Sequence, residues 1–324
     1  MHTILALVLR RLALSGLIVT MVSALVFVGT EILPGDALDS TIPADELIFY
    51  TEEDLAAMRA ELGLDKPPLE RFVNVFTGLV TFDFGVTIMT REPVLDAIWH
   101  PMLNSLLMAG LAVLITPLIA IALGVTAALR PGGHLDGAVS AGTLFTYSMP
   151  DFVVGNVFII VFALQLGLAP AVLMIAESAP AWQILSAAIL PVAALTVSGV
   201  AYQFRLLREG MVDALGSEFI ERARLAGVPE WRLVVRHALP VAIIPMLNGT
   251  AQFVAAIFSS VVVIEAVFRF PGIGLELIRA VAQREVPTVQ AITFLAASAV
   301  IISNLLADIA LLALDPRVRR RHGR

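Results

Sequence analysis

The chain has 324 residues, of which 58% are hydrophobic and only 15% charged, against the roughly 45–50% apolar and about 25% charged composition of soluble domains. With a mean hydropathy of +0.89, the polar surface is too small to cover a soluble core of this size, and a disordered chain is excluded as well. The absence of cysteine removes disulfides, thiolate metal sites and cysteine nucleophiles, and a net charge of −6 argues against a nucleic-acid partner.

Six stretches free of Asp, Glu, Lys and Arg are long enough to cross a bilayer: residues 12–30, 97–129, 152–176, 178–204, 237–264 and 286–307. A crossing helix needs about 20 apolar residues, because the hydrocarbon core is about 30 Å thick and each residue rises about 1.5 Å. Lipid supplies no hydrogen-bond partners, so each stretch is expected to be helical. The reading is therefore an all-α membrane protein with six transmembrane helices. The first run follows Arg10 and Arg11. It exceeds the apolar region of a signal peptide and lacks a small-x-small cleavage pattern before Glu31, so it is read as a retained helix.

Residues 34–102 are too polar to span. Leu33-Pro34-Gly35-Asp36 is a turn signal that ends the first helix. Residues 52–62 read as a short helix stopped by Gly63. Residues 69–82 carry Leu69, Phe72, Val73, Phe76, Leu79 and Val80 at amphipathic spacing, which fits a helix on the membrane surface or one packed on the outer ends of the spans. Trp99, His100 and Pro101 place the start of the second span near Leu103, and the third is expected to begin near Ala138 with Pro150 and Asp151 inside it. Residues 205–240 are again polar. The pattern is helical up to Ala226, with Leu215, Phe219, Ala223 and Ala226 recurring, then a stop at Gly227 and a restart at Pro229.

Orientation follows the basic residues. With both termini on the cytoplasmic side, that side carries 14 Arg and Lys and the opposite side 7. The division expected is a tail and first span over 1–33, an extracytoplasmic segment over 34–102, a five-span core over 103–316 containing the cytoplasmic loop 205–240, and a basic tail over 317–324.

No phosphate-binding loop, metal-binding His spacing or nucleophile elbow is present, and Gly272-Ile273-Gly274 lacks a third glycine. No catalytic residue, metal or cofactor is expected. Polar groups inside spans are functional candidates because lipid penalises them. They are Asp151, Asn156 and Gln165 in the third span, Asn248 and Gln252 in the fifth, and Asn304 and Asp308 in the sixth. Asn248 and Gln252 share a helix face and either line a water-filled pathway or hydrogen-bond between helices. For Asp308, near the cytoplasmic end, interhelical bonding is the favoured reading. A secondary carrier would want ionisable groups deep in several spans and internal repeats. Most candidates here lie near span ends, and no clear repeat is visible.

One pattern is more specific. Glu221-Arg222-Ala223, three residues, Gly227, nine residues, then His237-Ala238-Leu239-Pro240 resembles the cytoplasmic loop E-A-A-x3-G-x9-I-x-L-P of the membrane subunits of binding-protein-dependent ABC importers. Arg222 and His237 depart from the pattern. Arg10-Arg11-Leu12, Leu62-Gly63-Leu64-Asp65-Lys66-Pro67, Asp83-Phe84-Gly85 with Pro93-Val94, Val263 to Phe268 with Pro271 to Gly274, and Asn304 to Arg317 are similar to the B-type subunits of dipeptide and oligopeptide permeases.

The resemblance implies the type I ABC importer permease fold and residence in a bacterial inner membrane. It also implies a homologous second permease, two ATPase subunits and an extracytoplasmic solute-binding protein as partners. Phe219, Glu221, Arg222, Ala223, Arg224, Gly227, Leu239 and Pro240 would then form the ATPase-coupling element. ATP hydrolysis would lie on partner chains, and the expected cargo is a di- or oligopeptide, with nickel chelates, glutathione and oligosaccharides also carried by relatives.

Overall fold

A computed structural model describes residues 2–32, 50–51, 53–54, 57, 60, 66–170 and 172–314, with side chains from residue 13 to 305 apart from Glu31, Ile32 and Ala251. The turn at Leu33 to Asp36, most of the expected 52–62 helix and the basic tail lie outside the described residues. Eleven helices order the described chain: α1 (His2–Ile32), α2 (Pro68–Thr81), α3 (Val94–Ala128), α4 (His134–Tyr147), α5 (Asp151–Gln165), α6 (Ala181–Ala187), α7 (Ile189–Leu215), α8 (Glu218–Leu225), α9 (Glu230–Phe268), α10 (Ile273–Ala282) and α11 (Val286–Leu314).

Five of these, α1, α3, α7, α9 and α11, are each long and apolar enough to cross a membrane. The third apolar stretch is divided between two helices: α4 and α5 pass the same test only together, and they are bent by 109° at their junction. Pro150 explains the break. It has no N–H to continue the α4 ladder and disfavours helical backbone at Met149, while its carbonyl accepts from Val153 N at 2.9 Å and starts α5. Pro150 and Asp151 therefore stand at a corner, and not inside a straight helix as the sequence suggested. Leu17, Met21, Leu25, Leu114 and Leu118 are exposed on the spanning helices, as a lipid-facing surface requires.

Two further boundaries differ from expectation. α3 begins at Val94 rather than near Leu103, so Trp99, His100 and Pro101 are helical. Pro101 removes one ladder bond, but its fixed φ fits the helix and the chain continues. α10 is a short helix between the fifth and sixth spans, a stretch that span-searching passes over because it is too short to cross.

The described residues fall into two compact units. The first contains residues up to Asn104 together with Pro271–Ile301. Its core gathers Leu79, Phe84, Val94, Ile98, Ala291, Ile292 and Phe294. Phe72 of α2 meets Phe27 of α1 edge-on at 5.5 Å, while Leu69, Val73 and Val80 stay exposed. The segment between α2 and α3 folds back on itself through a Val86–Pro93 bridge, with Val94 N donating to Gly85 O at 3.0 Å. Glu285 braces this turn by accepting from Ile88 N at 2.8 Å and Met89 N at 2.7 Å.

The second unit runs from Ser105 to Phe270 and from Ile302 onward. One core cluster includes Met108, Ala112, Leu195, Ile264, Phe268 and Phe270. Another includes Leu207, Met211, Ile220, Leu233 and Met246. α7 and α9 pack closely because small residues sit between them. A Cβ on Gly199 would lie 2.5 Å from the Phe253 ring, and one on Gly249 would lie 2.4 Å from Leu206.

Candidate functional site

The fixed-spacing motif Glu221–Pro240 begins on a separate short helix, α8. The pattern up to Ala226 reads as one helix, but the chain breaks at Gly216 and Ser217. Ser217 is extended, with φ −80 and ψ 150, and its carbonyl accepts from Ile220 N and Glu221 N at 3.1 Å each to start α8. Glu218 and Glu221 lie in the first turn and Arg222 and Arg224 in the last, each sign at the end of the helix dipole that favours it. Glu218 and Arg222 pair at 3.1 Å.

The end of α8 shows why glycine stands at 227. Gly227 N donates to Arg224 O at 3.0 Å and Val228 N donates to Ala223 O at 3.1 Å, the paired closure of a Schellman motif. This closure needs a left-handed residue, and Gly227 has φ +80. Arg224 then reaches across the turn to Glu230 at 2.6 and 3.2 Å, clamping α8 to the start of α9. The carboxylate raises the Arg224 guanidinium above its ordinary value, so the clamp stays ionised.

Which face of α8 looks outward differs from the expected stripe. Ile220 is fully buried and Ala223 packs beside it on the cluster that holds Leu207 and Leu233. Phe219 is exposed, as are Glu221, Arg222, Arg224 and Gly227. Ala223 is thus an anchoring residue and Phe219 a presented one. The frame-shift at Gly216 explains this, because Leu215 and Phe219 no longer share a continuous helix. Leu225, Trp231 and Val235 are exposed near Phe219 in the chain and extend the apolar character of this end. Leu239 is partly buried against the same cluster, and Pro240 is exposed at the next position of α9. Leu233–Ala238 is wound as a π-helix, with His237 Nδ1 3.0 Å from Arg232 O.

A part-buried ion pair lies in the same unit. Asp136, only 4% exposed, receives both the Nε and the NH2 group of Arg208, the latter at 2.6 Å, and also Gly132 N at 2.8 Å. This ties the turn before α4 to α7 at Arg208, about two turns before α7 ends at Leu215. Gly132-Gly133 marks a turn in the sequence, but no local pattern connects Asp136 with a partner 72 residues away.

The intramembrane polar groups separate. Gln252 lines a cavity of about 410 Å3 in the second unit, together with Tyr147, Asp151, Ser198, Tyr202 and Ser260. Its Oε1 accepts from Tyr202 Oη at 3.1 Å. Asn248 is exposed and does not line this cavity. Asn156 turns back to Phe152 O at 2.9 Å, Gln165 and Asn304 are exposed, and the Asp308 side chain lies outside the described residues. Asp151 joins the cavity because the corner at Pro150 brings α5 against α7 and α9, which sequence spacing does not reveal. Tyr147 stacks on Tyr202 at 6.3 Å, and Arg205 sits 4.4 Å over the Tyr147 ring.

Residues 120–320 match the family described as the inner membrane component of binding-protein-dependent transport systems. A probable peptide ABC transporter permease protein of Sinorhizobium fredii is 30% identical over 316 residues, covering 96% of this chain and 98% of that protein. The dipeptide transport system permease protein DppB of Bacillus subtilis is 30% identical over 302 residues, covering 93% and 94%, and DppB of Lactococcus lactis is 28% identical over 313 residues, covering 96% and 98%. With α8 closing the fixed-spacing motif between the fourth and fifth spans of a helical membrane chain, the protein belongs to the family of inner membrane components of binding-protein-dependent transport systems.

Proposed function

We propose that this chain is the permease subunit of an ABC importer that carries di- or oligopeptides by alternating access, with α8 as its coupling helix. The observation that carries the reading is α8 itself: a short, separately closed helix at the arginine-rich end, anchored by Ile220 and presenting Phe219 outward. The peptide cargo is supported by the names of relatives that align over nearly their whole length. A second permease, two ATPase subunits and an extracytoplasmic binding protein complete the machine, and both termini face the cytoplasm.

The mechanism follows from stiffness. Phe219 enters an apolar site on an ATPase subunit, and Glu221, Arg222 and Arg224 surround it with charge. The Gly227 closure and the Arg224–Glu230 clamp keep α8 from swivelling against α9. Closure of the ATPase pair on ATP therefore moves α8 together with the cluster under Ile220, and the spans tilt as bodies. Leu239 packs at the root of α9 and Pro240 stands beside it.

The test is peptide-stimulated ATP hydrolysis in the reconstituted complex. Gly227→Val places a β-branched residue in left-handed backbone, costing about 1–2 kcal/mol, although nothing lies within 4 Å of the added Cβ. Phe219→Asp removes the outward apolar contact without touching the core. Both are expected to assemble and to lose stimulation. Parental stimulation in both variants, with normal assembly, would remove the coupling role.

A further inference from the structure

The cavity in the second unit holds an acidic group that the coupling mechanism does not use. Its volume, about 410 Å3, lies in the range of roughly 300–1,000 Å3 found for small-molecule sites. Four elements contribute: Tyr147 from α4, Asp151 from α5, Ser198 and Tyr202 from α7, and Gln252 and Ser260 from α9. Ionisable groups at membrane depth are retained where they serve a function or have a partner. Asp151 accepts a hydrogen bond from Ser260 Oγ. Among the described residues no basic side chain pairs with it.

Ser260 is a single neutral donor, and a carboxylate has capacity for several more. The free capacity faces a space bordered by neutral polar groups. Tyr202 Oη is already committed as donor to Gln252. Gln252 lines the cavity and its amide keeps two N–H donors and a second lone pair beyond this bond. Arg205 sits 4.4 Å over the Tyr147 ring and is not a lining residue. Asp151 is thus the one acidic or basic side chain in the cavity lining, beside neutral hydrogen-bonding groups. Asp151 also opens α5, where a carboxylate suits the helix dipole. A purely structural role of that kind would be indifferent to the charge of what enters.

We infer that Asp151 is a binding group of the translocation path, which receives the α-ammonium of a passing peptide, while Gln252 and Ser198 meet its amide groups. This rests on the proposed importer function and adds to it a selectivity for solutes with a free amino terminus, exerted in the permease itself. The pairing is reversible: the ammonium docks on the carboxylate oxygens left free by Ser260, and no bond is made or broken. Tilting of the spans would reshape the corner at Pro150 and release it.

The test uses the native absence of cysteine. In the full reconstituted complex, Ala256→Cys, at a lining position with no polar role, reports on the cavity, and the complex without it serves as the blank for thiols on partner chains. The rates of modification by a cationic and an anionic methanethiosulfonate reagent are compared with Asp151 present and with Asp151→Asn. The cationic preference should fall about tenfold in the Asn background, as expected for loss of one nearby opposite charge, and Asp151→Glu should restore it. Dialanine should slow modification in the Asp151 background but not in the Asn background, and N-acetyl-dialanine in neither. Equal charge preference and equal protection in both backgrounds would overturn the inference. Failure of the parental complex to import dialanine would instead overturn the proposed function, since the reagent preference is read without any cargo.

Discussion

Glu285 offers the sharpest test of how the first unit is held together. It is 5% exposed, and its two carboxylate oxygens accept from Ile88 N at 2.8 Å and Met89 N at 2.7 Å, nearly two hundred residues earlier in the chain. Glu285→Ala deletes both bonds and leaves two backbone donors facing an apolar methyl. A hydrogen bond to a charged acceptor contributes about 1.5–3 kcal/mol, so the gross loss is about 3–6 kcal/mol. Release of a buried carboxylate offsets part of this, leaving an expected destabilisation of about 2–4 kcal/mol. Glu285→Gln keeps one acceptor but turns an NH2 group toward the other donor, so its loss should be about half as large. Thermal unfolding in lipid nanodiscs reads the effect. At about 2–4 °C per kcal/mol the Ala variant should melt at least 4 °C lower. Trypsin should also cut faster after Arg91, which lies in the braced turn. An Ala variant that melts within about 1 °C of the parent and is cut no faster would show that the brace does not hold this turn.

Two ion pairs carry further predictions. Glu230→Gln opens the clamp on Arg224 while leaving the Gly227 closure intact; stimulated ATP hydrolysis should fall less than in Gly227→Val, and the exchange Arg224→Glu with Glu230→Arg should recover it. An exchange variant no better than the single one would mean that the pair does not stiffen α8. Arg208→Lys cannot reproduce the two-point contact with Asp136. It should slow transport, and the neutral pair Asp136→Asn with Arg208→Gln should be faster than either neutral single variant, because neither partner is left as an unpaired buried charge. Strictly additive rates across that cycle would show that the two side chains act independently.

The helical class, the apolar spans and the fixed-spacing motif are legible because each is a local or compositional signal. A run of about 20 apolar residues is decisive when the solvent is lipid. The closure at Gly227 is equally local: one residue must be left-handed, and glycine is the residue that adopts this without strain. Amphipathic spacing also located α2, with Phe72 against Phe27 and Leu69 left exposed.

Local patterns failed where the deciding partner is distant. Helical periodicity runs across Gly216 and Ser217, so it placed Phe219 and Ala223 on one outward stripe. Packing under Ile220 turned Ala223 inward and left Phe219 presented. Pro150 signals a break, yet the 109° between α4 and α5 is set by what each packs against. Asn248 and Gln252 share a helix face by spacing, but only Gln252 borders the cavity.

By itself the amino-acid sequence determined that the chain lives in a membrane as helices, that its arginines concentrate in the 205–240 loop and the C-terminal tail, and where the fixed-spacing motif lies. These follow from solvent, charge asymmetry and backbone conformation, all of which act over one or two helical turns. Tertiary structure alone decided that Asp151 meets Ser260 across 109 positions, that Asp136 meets Arg208 across 72, and that Glu285 closes a turn across 197. Each is a polar pairing between elements that sequence separates. The energy that enforces them is the cost of leaving a charged or polar group alone in a dry interior, and only the packed fold assigns its partner.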